Sequence, residues 1–407
     1  MSGAARTRIE RDRLGALELP ADALAGIHSE RALRHLGFSG RRLADYPELV
    51  RALAQVKRAA ARANRAAGVL PPREAAAIEA ACEALESGLH AEALAVDPLA
   101  GGGGVALNMN ANEVIAGLAR RAGVPLDPKR HVNASQSSAD VCQTAHRLAV
   151  LERGSALAAA LADLVAALRE QAAAGRDLPT IARTCLRDGI ATNAGALFAA
   201  HAEALARRSD ALALAVDALR AVSLGGTVIG SGEGAPAAYR EVVLVELAAT
   251  SGRALTRRPS LEDAAQNADD LGAVAAELAA LARAGIKLGA DLRLLASGPA
   301  TGFGELELPP VIEGSSFFAG KSNPVVPETL LHCCFQVLGC ERAAQLAVER
   351  GELQLNVFEA VAAVNVLDAM AMLERAIPCA ACCVRDLRFD AERCRAHAAR
   401  ALPIGAA

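Results

Sequence analysis

An all-α fold of long helices is what this sequence predicts, and three observations predict it. Hydrophobic residues make up 53% of the chain while aromatics make up 2% and Trp is absent, so the core must come from Ala, Leu and Val. Such small aliphatic side chains, several of high helix propensity, let helix axes approach closely and favour a bundle over a sheet. Several runs of helical periodicity exceed 25 residues, the length of bundle helices, and polar or glycine-rich segments recur at their ends.

In chain order, a polar lead-in from residue 7 gives way to helical periodicity that starts at Tyr46 and runs to about Ala67. Pro71-Pro72 breaks it, and a second helix reads from about Arg73 to Ser87. The glycines at 101–104 precede Val105, but no Gly-Lys-Ser/Thr follows, so a nucleotide loop is excluded. Asn108, Asn110 and Asn112 then stand at a helix start, where they need partners if buried. The run HVNASQSSAD, His131 to Asp140, is a hydroxyl-rich turn into a helix: either a simple N-cap or, with its free N–H groups and the helix dipole, a carboxylate site. Further helices read at about 140–174, 193–222, 237–251, 260–296, 325–349 and 352–377, with Ser260-x-x-Asp263 resembling a capping box. Residues 180–190 and 224–232 read as the polar and glycine-rich connections between them.

The stretch 314–328, GSSFFAGKSNPVVPE, combines two serines after a glycine, two aromatics, an Ala319-Gly320 pair that reads as mobile and a Lys321-x-Asn323-Pro324 run. Glycine allows close backbone approach to a ligand, and Pro324 with Pro327 keeps the loop out of the following helix. Such a loop can hold a carboxylate at one end and present Ser315 or Ser316 to a neighbouring carbon; an ordinary surface loop is the alternative.

At 407 residues the chain has room for two or three domains, and its net charge of -3 offers no polybasic surface for nucleic acid. A small molecule is the expected partner. The N-terminus has no apolar export region, and the apolar stretch 353–373 carries Glu359 and Asp368, which argues for a buried helix and not a membrane span. Ten cysteines in such a chain read as free thiols of a cytoplasmic protein. Cys379-x-x-Cys382-Cys383 with Cys394 and His397 lacks paired two-residue spacing, so no metal and no cofactor are expected.

These motifs, in this order, resemble the fumarase/aspartase superfamily, and within it the aspartate ammonia-lyases. The resemblance runs from Arg8-Ile9-Glu10 and Gly26-Ile27-His28 through Asn108-Met109-Asn110-Ala111-Asn112-Glu113, Ser135-Gln136-Ser137-Ser138 and Arg183-Thr184. It continues through Gly314-Ser315-Ser316, Lys321-x-Asn323-Pro324-Val325-Val326-Pro327-Glu328 and Gln354-Leu355-Asn356-Val357. The resemblance implies a helical subunit with an N-terminal domain at 1–134, a central long-helix bundle at 135–378 and a truncated C-terminal remnant at 379–407. It also implies a homotetramer with a twenty-helix core, each active site drawing on three subunits. Ser315 would be the base that removes a proton next to a carboxylate of a small dicarboxylic acid. Lys321, Asn323, Thr184, Ser137 and Ser138 would anchor the carboxylates.

Departures from the family pattern fall on the leaving-group side. Val105 stands where aspartases have Thr, Ala139 where the family has Asn, and Cys185 where His or Gln follows Arg-Thr. In fumarases that His pairs with the glutamate represented here by Glu328. The reading that follows is an aspartase-type lyase that eliminates ammonia or a substituted amine to give fumarate. A fumarase-like hydro-lyase and a catalytically silent binding subunit are the rivals. Cys185 itself is either a reactive thiol or an inert small hydrophobe.

Overall fold

The computed structural model describes residues 6–314 and 316–405. It opens on an antiparallel hairpin, β1 (Thr7–Asp12) with β2 (Gly15–Pro20), where the sequence reads as a polar lead-in. The usual alternation is inverted in β1: Ile9 is exposed, while Arg8, Glu10 and Asp12 are half-buried. These three are satisfied by polar partners, Arg8 by the carbonyls of Pro20, Ala21, Ala23 and Ala25, Glu10 by the Ile27 N–H and Asp12 by Arg31. A strand whose inward face is charged carries no apolar period to detect.

Helices α1 (Ile27–His35), α2 (Pro47–Ala66), α3 (Pro72–Glu86) and α4 (Val105–Arg121) follow, then a π-helical turn at Pro128–Val132 and α5 (Ser138–Ala174). The segment read as a loop at 180–190 is a second antiparallel hairpin, β3 (Pro179–Thr184) with β4 (Arg187–Asn193). Next come α6 (Ala196–Ala218), β5 (Ala221–Val222), α7 (Ala237–Ser251) and β6 (Thr256–Arg257), which pairs with β5 in parallel. The helix expected over 260–296 is two, α8 (Leu261–Gln266) and α9 (Asp269–Leu295), because Asn267 is extended and its side chain bonds back to Asp263. β7 (Leu306–Glu307), α10 (Val325–Val348), α11 (Glu359–Asp386), β8 (Arg388–Phe389) and α12 (Ala391–Ala398) complete the chain, β7 pairing with β8. The last long helix starts at Glu359 and not near 352, because Leu353 is left-handed and Glu352 bridges Leu355, and it continues past Pro378.

Helix dominates, as the composition predicts, and strands pair only two at a time among the described residues. The chain divides into two compact units: one comprises the chain up to Arg153 with Val216–Ala273 and Ala343–Leu367, the other Gly154–Ala215, Val274–Arg342 and the chain from Asp368. In the first, α2 packs against α3 and α7 through Leu49, Leu53, Val56 and Ala60 of α2, Ile78 and Cys82 of α3, and Tyr239, Val243 and Leu247 of α7, all buried. The same unit holds a buried charge cluster in which Arg147 donates to both oxygens of Asp270, at 2.7 and 2.8 Å, and to Glu359 at 2.9 Å, while Arg258 donates to Asp270 at 3.1 Å. In the second unit β3 is pinned by Arg183, which donates to Glu305 at 2.7 Å and lies 4.2 Å over the Phe303 ring, while Phe198 meets Phe389 edge-on. No described helix is long and apolar enough to cross a membrane.

Candidate active site

In the first unit the turn that feeds α5 is held from behind by a polar network. Lys57, fully buried on α2, donates to Asn133 Oδ1 at 2.9 Å and Gln136 Oε1 at 3.0 Å. Asn133 Oδ1 also accepts from Asn108 at 3.1 Å and Asn112 at 3.2 Å, so three donors converge on one carbonyl. Asn64, two turns beyond Lys57 on α2, donates to the Ala134 carbonyl and accepts from Ser135 Oγ. These bonds give partners to the amide nitrogens of Asn108 and Asn112, and Asn110 donates to Ser29 Oγ and the Ala93 carbonyl, while the side-chain carbonyls of all three are buried without a protein partner among the described residues.

The two serines sit where this network ends. Ser138 Oγ accepts from Asn108 Nδ2 at 2.8 Å, and Ser137 Oγ accepts the Ala139 N–H at 3.2 Å. With a lone pair of each hydroxyl taken, each O–H is free to donate. Both serines are half-buried at the start of a 37-residue helix, whose dipole adds positive potential there. Asp140 is buried below them, accepting the N–H groups of Ser137 at 2.9 Å and of Gly225 and Thr227 at 3.0 Å. Burial outweighs those bonds and the nearby Lys57 and raises its carboxyl to about 6. Burial likewise pushes the Lys57 ammonium down to about 7, opposed by Cys142, Asp140 and Cys82.

Val105 begins α4 and is 45% exposed, lining an open cleft of about 1060 Å³ with Met109, His28, Arg31 and Lys129. Gly104 ahead of it has φ +85, and a Cβ there would come within 2.6 Å of Cys142 Sγ, so only glycine brings α4 this close to α5. Ala139 is buried and carries no polar side-chain atom. Glu113, on the same helix as the asparagines, caps α1: it accepts the N–H groups of Gly26, His28 and Ser29, the Ser29 hydroxyl and His28 Nδ1. Burial works to raise its carboxyl, but the His28 and Ser29 bonds hold it below the usual value.

The other sequence-predicted residues belong to the second unit. Thr184 closes β3, and Cys185 and Leu186 form the tip of the hairpin with φ +53 and +57, all three exposed. Lys321 and Asn323 are exposed on the loop before α10, and Glu328 on the first turn of that helix pairs with Arg293 at 3.3 Å. A Cβ on Gly314 would come within 1.5 Å of the Lys321 carbonyl, so the two ends of this loop meet only because residue 314 is glycine. Ser315 lies outside the described residues. Among the described residues no group of three or more His, Cys, Asp or Glu side chains could hold a metal ion. Cys379 and Cys382 are exposed on α11, whereas Cys383 and Cys394 are buried.

Sequence reasoning missed Lys57 and Asn64. Their signal was present: two polar residues seven apart on a helix face otherwise made of Leu53, Ala60 and Ala61. Chemically, the first-unit turn offers two hydroxyl donors and a helix N-terminus to an anion, and the second-unit loop offers a cation and an amide.

Residues 15–339 match the family model described as Lyase. An aspartate ammonia-lyase of Pseudomonas aeruginosa is 41% identical over 406 residues, covering 97% of this chain and 85% of that protein. The aspartate ammonia-lyase of Escherichia coli is 36% identical over 380 residues, covering 91% and 79%. Among solved structures, a fumarate lyase:delta crystallin from Brucella melitensis aligns with a TM-score of 0.94 at 40% identity, covering 96% of this chain and 87% of that one. A class II fumarase from Schistosoma mansoni aligns with a TM-score of 0.92 at 26% identity, covering 96% and 87%.

Proposed function

This chain belongs to the fumarase/aspartase family of lyases, and on that premise we propose that it eliminates ammonia or a substituted amine from aspartate or a related 2-substituted succinate, giving fumarate. The observation that carries the reading is the pair Ser137 and Ser138, whose hydroxyls are occupied from behind and left as donors at the head of α5. In this reading they grip one carboxylate, with Thr184, Lys321 and Asn323 completing the dicarboxylate site in a homotetramer.

Ser315, as an alkoxide, takes the proton from the carbon next to the second carboxylate. The electron pair moves into that carboxylate, returns to form the carbon–carbon double bond, and expels the ammonium group as neutral amine. The abstracted proton stays on Ser315 until it is released. Because that carbon acid is weak, most of the acceleration comes from donors already aimed at the developing charge.

Val105 and Ala139 stand where the family pattern has polar side chains and cannot hydrogen-bond a small ammonium group, so a substituted amine is proposed as leaving group alongside ammonia. The test is to give purified protein L-aspartate, N-substituted aspartates or L-malate and follow fumarate absorbance. Amine release that disappears in Ser315→Ala supports the proposal; turnover of malate alone, or of nothing, refutes it.

A further inference from the structure

We infer that Lys57 is a positioning residue of the carboxylate site, acting from inside the fold through Asn133 and Asn108 to keep the Ser138 hydroxyl aimed as a donor. The inference deepens the reading above and rests on Ser138 being a carboxylate anchor.

The chain of contacts is continuous. The Lys57 ammonium binds Asn133 Oδ1 at 2.9 Å, Asn133 Oδ1 accepts from Asn108 Nδ2 at 3.1 Å, and the same amide nitrogen donates to Ser138 Oγ at 2.8 Å. Three donors converge on that one carbonyl oxygen, and the Lys57 head group, when protonated, is the strongest of them. Asn133 cannot turn away while it is so held, because its own amide also donates to the Gln136 carbonyl at 3.0 Å. Asn108 therefore meets a fixed acceptor with one N–H and spends the other on Ser138. That orientation matters because a serine that receives an N–H has its own proton left for a ligand, whereas one that does not can rotate and offer a lone pair instead.

Among the described residues no carboxylate pairs with the Lys57 head group, whose bonded partners are the two side-chain carbonyls of Asn133 and Gln136. Burying an amino group completely, away from any ion-pair partner, is costly in either protonation state, and a methionine would fill the same space without that cost. A residue kept only for packing would not need a hydrogen-bonding head group, which is why the ordering of the serine turn is the role we assign.

The experiment is a double-mutant cycle on the full-length protein, combining Lys57→Met with Ser138→Ala and reading KM and kcat, or the dissociation constant for succinate by calorimetry. Lys57→Met alone is expected to weaken substrate or succinate binding about tenfold, the scale of one hydrogen bond to a charged group, with kcat per folded site changed less than twofold. In the Ser138→Ala background the same substitution is expected to change binding less than twofold. Equal weakening in both backgrounds, or unchanged binding in Lys57→Met, overturns the inference while leaving the proposed reaction standing. Wild-type protein that neither turns over nor binds a dicarboxylate overturns both. Should Lys57→Met fail to fold, Asn108→Ala cuts the same relay one link nearer the serine, and additivity of its effect with Ser138→Ala overturns the inference equally.

Discussion

The turn before α5 and the loop before α10 are built alike in sequence, each a hydroxyl-bearing segment that feeds a long helix, and they differ in how they are held. The first has its polar side chains tied to Lys57, Asn64, Asn108 and Asn112 within its own unit. The second exposes Phe317, Phe318, Lys321 and Asn323, and within it the Lys321 N–H bonds the Phe318 carbonyl while the Lys321 ammonium lies 5.4 Å from the Phe318 ring. The lesson is a division of labour. One turn has its polar side chains ordered by bonds from its own unit, so in the proposed reading it is an anion site set before a ligand arrives; the other, with Lys321 and two aromatics exposed, would in that reading close on its ligand.

The largest way to break this comparison lies in the exposed loop. In the proposed reaction Ser315→Ala removes the base, and kcat should fall about a thousandfold, within the range for losing a positioned proton acceptor. Steady-state kinetics with an unchanged thermal transition would check it. The unit that holds the turn before α5 should instead answer through stability. Arg147→Met removes the buried guanidinium that joins Asp270 to Glu359, leaving Asp270 with Arg258 and Glu359 with His146, with a loss of about 3–5 kcal/mol read from denaturant unfolding.

A smaller effect sharpens the picture through pH. Asp140 in the folded protein keeps its proton up to about 6, above its usual 3.8, so the stability it confers is complete below 3.8 and is lost as pH rises through 6. Relative to Asp140→Asn, wild-type protein should therefore lose about 3 kcal/mol between pH 3.8 and 6, measured as the difference between the two unfolding free energies. The smallest effect is at the hairpin tip, where Cys185 and Leu186 are both left-handed in a turn that favours Asn-Gly. Leu186→Gly should raise stability by about 1 kcal/mol, and unchanged or lower stability would show the tip to be unstrained.

Much of the helical framework was legible because alanine, leucine and valine at helical spacing leave little choice of structure: 237–251 reads as the helix that is present, and Pro72 marks the start of α3. What the sequence hid was polar. β1 turns charges inward, and the tip of β3–β4 uses Cys and Leu where a turn signal would be Gly, so neither hairpin announces itself. The serine turn was visible from its hydroxyls, yet its support was not. Lys57 and Asn64 come from a helix some seventy residues earlier, and such separation leaves no local pattern beyond a polar residue on an apolar face.

The central claim is that one hydroxyl strips hydrogen from the carbon beside a bound carboxylate, and deuterium tests it without regard to the leaving group. L-aspartate and an N-substituted aspartate are incubated with the protein in heavy water, and the recovered substrate is examined by proton magnetic resonance. The account predicts deuterium at carbon 3 with wild-type protein and none with Ser315→Ala. Absence of exchange in wild type alongside amine release would need a separate step, but exchange that persists unchanged in Ser315→Ala contradicts the account outright.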